Sequence, residues 1–449
     1  MTASRPALAL AAMLAAACPA RAADLFQQET LTGDWLGART ALEDRGILLG
    51  ADEIFDALAN PAGGRRQGAA FEGRFEVFAN IDLDAALGWR GGILHANAYQ
   101  IHGRGLSADD VGNLLTVGNI GATPATRLFG LWLQQSFFHD AVSVRAGQIA
   151  ADDEFFVSQF AALFINSAFG WPSILGINLP SGGPAYPLAT PGIRLRVALS
   201  PALVVTTGLF NGDPAPAGSG DPQRRDPDGT SLRADGDALW ISELAYSAGV
   251  RMGDDVLPGS YKIGAWYHSG RFADRRLDSM RLSLADPASG GAPFIHGGDF
   301  GGYVIADQLL WRRDPSGDRG LGMFLRMGGA PGDRNLIDFH VDGGLSLAGP
   351  LPGRDQDMIG LGVSYESVGG AERDLSRDQA RFSGIAVPRA DFESALELSY
   401  QALIAPWWLV QPDAQLILHP GARMADLDTP SPAAPGDALV LGVRTAVSF

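Results

Sequence analysis

Cysteine and lysine are all but missing from this chain: Cys18 is its single thiol and Lys262 its single lysine. One cysteine can build neither a disulfide framework nor a thiolate metal site. Apart from its first residues the chain also lacks any apolar run near the roughly 20 residues that a membrane-spanning helix requires. If the chain crosses a membrane, it must do so as strands. The seven histidines form no H-E-x-x-H or H-x-H arrangement, and the acid-rich DPDG at 226–229 lacks the twelve-residue EF-hand pattern. No G-x-S-x-G, P-loop or Ser/His pairing is present either, so no catalytic residue, metal ligand or cofactor site is assigned and an enzyme is not expected. An outer-membrane hydrolase is the competing class, and it would need a nucleophile, a base and an orienting group converging at one rim.

The first residues, MTASRPALALAAMLAAACPARAAD, join an early arginine to an apolar run and to small residues at Ala20, Ala22 and Ala23. This pattern predicts a secretory signal over 1–23, exported through the Sec pathway and removed together with Cys18. Loss of Arg5 and Arg21 would take the net charge from −16 to about −18, which makes nucleic acid an unfavourable partner.

What the chain does have is alternation. In FEGRFEVFANIDLDAAL, Phe71, Phe75, Val77, Ile81 and Leu83 share one face, while Glu72, Arg74, Glu76, Asn80, Asp82 and Asp84 share the other. GIRLRVALS sets Ile193, Leu195, Val197 and Leu199 against Arg194 and Arg196, and ALVLGVRTAVSF sets Leu439, Leu441, Val443, Val447 and Phe449 against Arg444 and Ser448. YKIGAWYHSG, DMIGLGVSYES and FESALELSYQA behave alike. Turn-rich stretches of very unequal length separate these segments, as short turns at one rim of a barrel and long loops at the other would. A soluble sandwich also alternates, but its strands rarely run on for this many repeats in one domain. Strand-plus-connection units of roughly 25 residues predict about 16 to 18 strands, the size at which a barrel leaves an aqueous channel. Trp89, Trp132, Trp240, Tyr267, Trp311, Trp407 and Trp408 fall near strand ends, where interfacial girdles place such rings. The fold expected is therefore all-β, a transmembrane antiparallel β-barrel over 49–449. A periplasmic helical segment over 24–48 precedes it, in which Trp35, Ala38 and Leu42 have helical spacing, Thr32 or Asp34 can cap and Gly46 can stop the helix.

LTGDWLGARTALEDRGI resembles the start of the carbohydrate-selective porin (OprB-like) family, with Leu36 where that family's pattern has Gly. Similar blocks follow in family order to the C-terminus: RAGQIAADDEFFVSQFAALFINSAFGWP, YPLATPGIRLRV, GGYVIADQLLWR, NLIDFHVDGGLSLAGPLPGRDQDMIGLGVSY and ELSYQALIAPWWLVQPDAQLILHPG. The resemblance implies sixteen strands, a Gram-negative outer-membrane location with lipid around the wall, and an arginine-bearing constriction through which monosaccharides such as glucose diffuse. It leaves open whether barrels associate as a homotrimer, and whether the N-terminal segment plugs the pore.

A sugar pore needs polar groups that replace water around hydroxyls and aromatic faces for the ring, all binding weakly enough to release the solute. Strand phase nominates Arg74, Glu76, Arg145, Arg194, Arg196 and Glu243, with Glu366 in the same phase; the competing reading is that lumen Arg and Glu merely satisfy one another. The stretch 151–191 is too long for a turn and predicts a loop folded toward the pore, offering Asp153, Glu154, Asn166 and Trp171 as eyelet groups.

Overall fold

A computed structural model describes residues 25–253, 255–313, 319–384, 388–424 and 433–449. The expected signal over 1–23 lies outside the described residues. Sixteen strands form one closed antiparallel barrel in which each strand pairs with its sequence neighbours, and the last pairs with the first. They are β1 (Ile47–Gly64), β2 (Gly68–Asp82), β3 (Gly92–Gly103), β4 (Ala125–Phe137), β5 (Val142–Ile149), β6 (Thr190–Ser200), β7 (Leu203–Asn211) and β8 (Ala238–Met252), followed by β9 (Asp255–Asp278), β10 (Pro293–Arg312), β11 (Gly320–Gly329), β12 (Ile337–Ala348), β13 (Met358–Val368), β14 (Phe392–Ala405), β15 (Trp408–Leu418) and β16 (Gly436–Ser448). Closure pairs every strand edge, as hydrocarbon demands, because lipid offers no hydrogen bonds to an open edge.

The predicted phase is the observed one. Phe71, Val77, Ile193, Leu195, Leu439, Leu441 and Val443 are exposed on the outer wall, whereas Glu72 and Arg194 are buried inside. Connections at one rim are tight, as at 201–202 between β6 and β7, while those at the other include 104–124, 150–189, 212–237 and 369–391. Short periplasmic turns and long external loops orient the barrel with both termini toward the periplasm.

Three local differences from the sequence reading have physical causes. The alternation of β2 continues through Asp84 in sequence, but the strand stops at Asp82 because that side chain accepts the Asp84 N–H at 2.9 Å and starts a short helix, Leu83–Leu87. The N-terminal helix α1 is only Ala38–Glu43, since Trp35, Leu36 and Gly37 all take positive φ and hold Trp35 outside it. Asp34 still serves this segment, accepting both the Thr40 N–H and the Thr40 hydroxyl at 2.9 Å. Trp132, expected in a girdle, instead faces the lumen: its ring stacks on His95 at 4.7 Å, under the Arg145 guanidinium at 3.8 Å.

Candidate functional site

The lumen is narrowed by the connection 150–189, which folds inward because the interior faces of β8 to β15 supply partners for its backbone. The Ile165 and Asn166 N–H groups donate to Glu397 at 2.6 and 2.9 Å, and Phe156 N–H donates to Glu243. Arg326, 1% exposed, pairs with Asp342 at 2.8 Å and donates to the carbonyls of Phe156, Ala168 and Gly170. Ser158 and Gln159 donate to Asp307, and Gln411 donates to the Leu163 carbonyl. The connection 104–124 joins this inner layer, its Leu114 and Leu115 N–H groups donating to Glu393 and Ser167 N–H donating to the Thr116 carbonyl. Phe155, Phe156, Ile174 and Leu175 pack with Phe210, Trp266 and Tyr303 as an apolar core between loop and wall.

The inward connections leave open space against the wall at β16, β1 and β2. A cavity of about 630 Å³ there is lined by Ile54, Arg74, Asn119, Asp152, Trp171, Tyr186, Asp221 and Arg444. Arg74 holds its guanidinium 4.8 Å from the centroid of Tyr99 and 5.5 Å from that of Tyr186, with Glu76 at 3.9 Å. Arg444 clamps Asp56 through two contacts of 2.7 Å and donates a third hydrogen bond to Asn119. Tyr186 donates its hydroxyl to the Ile120 carbonyl, fixing an aromatic face beside Arg74. Burial of the loop, with Asp153 alongside, holds the Asp152 carboxyl well above the ordinary carboxylate range. Toward the periplasm a second cavity of about 590 Å³ is lined by Glu43, Asn80, Asp82, Asp84, Trp132 and Asp140, an acid-rich exit.

The residues nominated from sequence divide by their access to this space. Arg74 and Trp171 line the cavity, and Asp153 is exposed. Glu76 faces inward and accepts a hydrogen bond from Asn97 at 2.7 Å. Arg145 pairs with Glu154 at 2.9 Å, and Glu154 also holds Arg194 at 2.8 Å. Arg196 is half-buried and makes no hydrogen bond or ion pair among the described residues. Four nominations need correction. Asn166 is fully buried, accepting the Ala168 N–H and donating to Gln415, so it ties down the loop and meets no lumen water. Glu243, 5% exposed, accepts from the Tyr303 hydroxyl and Phe156 N–H and likewise anchors the loop. Arg194 is buried beneath Glu154 and Ser143. Glu366 too is buried, 3.2 Å from His340.

Sequence reasoning missed Arg444, Tyr186, Asn119 and Asp152. Arg444 carried a usable signal, its inward phase in the terminal strand; the other three sit on loops, where no periodicity assigns a direction.

Residues 66–449 match the family described as "Carbohydrate-selective porin, OprB family". Porin B of Pseudomonas aeruginosa is 25% identical over 96% of this chain and 94% of its own length. A putative porin, QuiX, of Acinetobacter baylyi is 24% identical over 95% of each. Among solved structures, OprB of Pseudomonas putida at high pH superposes with a TM-score of 0.82 at 25% identity, over 94% of this chain and 99% of that one. The low-pH structure of the same protein gives 0.57 at 20% identity over the same shares.

Proposed function

The chain belongs to the carbohydrate-selective porin family, and from that premise we propose that its preferred solutes are monosaccharides such as glucose, moved by diffusion without energy coupling. It is a sugar porin of the Gram-negative outer membrane, a channel and not an enzyme. The proposal extends to details: export through the Sec pathway, a lipid surround for the wall, assembly from identical copies, and selection by the wall–loop passage.

The observation that carries the sugar preference is Arg74 held between two tyrosine faces. Its guanidinium N–H groups can donate to sugar hydroxyls, while a tyrosine face receives the apolar side of the ring. Neither contact is a charge pair with a neutral solute, so both release it readily, as transit requires. Arg444, Asn119, Asp152 and Trp171 add donors, acceptors and a further ring around the same space. The proposed lining extends to Arg145 and Glu154, paired at 2.9 Å, and to Asp153 and Arg196.

Liposome swelling with purified protein tests this reading, comparing glucose with an amino acid of similar size and with a disaccharide. Faster entry of glucose is expected. Equal entry of the amino acid would make the pore a general one, and absence of swelling would mean that the inward loops or residues 25–46 block it.

A further inference from the structure

The connection 212–237, which links β7 to β8, crosses the outer mouth of the barrel to reach β4. β4 begins at Ala125 but pairs with β5 only from Leu131, because 150–189 leaves the wall where β5 ends at Ile149. The free edge takes 228–229 as its partner. Leu128 N–H donates to the Asp228 carbonyl at 2.9 Å, and the Gln148 side chain donates to the Gly229 carbonyl at 2.9 Å. Gly229 is required at this seat: its φ is +65°, and a first side-chain carbon would fall 2.0 Å from the Leu128 carbonyl oxygen.

Just upstream of that seat, residues 221–225 form a short strap beside the cavity that holds Arg74. Asp221 caps one helical turn, Pro222–Arg225, by accepting the Gln223 N–H at 2.9 Å, with Pro222 at its first position. Asp221, Pro222 and Gln223 line the cavity, together with Gly121 of the connection 104–124 and Ser181 of 150–189. The strap is tied to both of these connections. Thr123 donates its hydroxyl to Asp221 at 2.6 Å and its N–H to the Gln223 side-chain oxygen at 2.6 Å, while Arg225 donates to the Ser181 hydroxyl at 3.1 Å. Arg127 on β4, 1% exposed, donates to the carbonyls of both Gln223 and Pro187, and so sets the strap against the segment that carries Tyr186. The chain leading in, 217–220, is exposed and includes two glycines, so the position of the strap depends on these ties.

A segment tied to both inward connections bounds the cavity on its outer side, where solute arrives. We propose that the strap 221–225 is the length filter of the pore: it narrows the outer end of the cavity so that a monosaccharide enters and a disaccharide does not. Thr123, Arg127 and Ser181 are then positioning residues, which act on the solute through the strap. Asp221 and Gln223 give the filter a polar surface, where sugar hydroxyls exchange water for other hydrogen-bond partners and are released again. The inference rests on the monosaccharide preference proposed above, and it adds the element that enforces it.

The test is liposome swelling in glucose and in a disaccharide, with purified full-length protein carrying Cys18→Ala, Thr123→Cys and Asp221→Cys. Reduced, this protein lacks the tie between positions 123 and 221, and entry of the disaccharide relative to glucose should rise several-fold over the parent. Bridging the two thiols with a one-carbon bis-methanethiosulfonate, checked by mass, should return the ratio to that of the parent, and reductant should raise it again. If the ratio stays low in the reduced protein while the parent favours glucose, the strap is not the filter, yet the monosaccharide preference stands. A rise that bridging leaves in place also overturns the strap, because the lost side chains and not its position would be responsible. A parent that admits the disaccharide as fast as glucose overturns both. Should the double-cysteine protein fail to fold, Ser181→Ala, which unties the opposite end, must raise the ratio in the same direction, and an unchanged ratio there rejects the filter.

Discussion

Arg74 is a cation held by ring faces and a distant carboxylate, so its charge is presented to the passage and not cancelled. A unit charge about 4 Å from a passing ion is worth about 1 kcal/mol in a water-like medium, roughly a fivefold preference. Arg74→Ala is therefore expected to raise the cation-to-anion permeability ratio by about that factor, read as reversal potential in planar bilayers under a salt gradient. Arg194, by contrast, is locked to Glu154, Ser143 and Gln134, and its removal should disturb the loop more than the field. Asp152 supplies a pH dependence of definite sign. Because burial keeps its carboxyl protonated above the ordinary carboxylate range, raising the pH through neutrality adds a negative charge beside Arg74. Cation preference should rise over that range in the parent and stay flat in Asp152→Asn; a parallel rise in both would assign the titration elsewhere. Strand phase made Arg74 and Arg196 legible in sequence as inward residues. It could not separate them from Arg194, because burial beneath Glu154 depends on a loop whose path no local pattern encodes.

At the scale of elements the strands were written in period two, and the inward fold of 150–189 was not. Its length announced a loop with a task, but the groups that hold it are spread over β8 to β15 and reach it only once the barrel has closed. Arg326 is the strongest of these, joining Asp342 to three loop carbonyls while almost fully buried. Removing one partner of a buried pair typically costs about 3–5 kcal/mol, since the other charge stays buried. Arg326→Ala should release the loop, giving larger, unsteady single-channel currents and new protease cleavage between residues 150 and 189 while the barrel itself stays closed. The strands make the converse prediction. Leu195 and Val197 share the outward face of β6, so replacing both by Asp should impair membrane insertion, visible as loss of the fast-migrating folded band on unheated gels. Normal insertion would mean that the two faces of β6 are reversed.

At the scale of the whole molecule, the barrel exists only if its first and last strands find each other across nearly the full length of the chain. Backbone pairing runs from Asp52 opposite Ser448 to Gly64 opposite Gly436, and the N-terminal segment overlaps the seam, with Leu31 N–H donating to Ser448 and Arg39 to the Phe449 carbonyl. Inside, the seam is closed by Arg444 on β16 and Asp56 on β1, the latter fully buried. One pair thus serves closure and passage together, for Arg444 also lines the cavity and positions Asn119. Taking away Arg444 alone strands the Asp56 charge, at about 3–5 kcal/mol; taking away both charges removes that penalty. Arg444→Leu is accordingly expected to lower the temperature at which the folded band is lost, and Arg444→Leu with Asp56→Leu to recover most of the difference, since a buried pair replaced by apolar residues is often no less stable. Arg444→Leu should also shift permeability toward cations relative to the parent, and the double variant should not, because only the single variant leaves an uncompensated carboxylate at the passage. If the double variant melts as low as the single one, the seam depends on the geometry of the guanidinium and its bond to Asn119, not on charge balance.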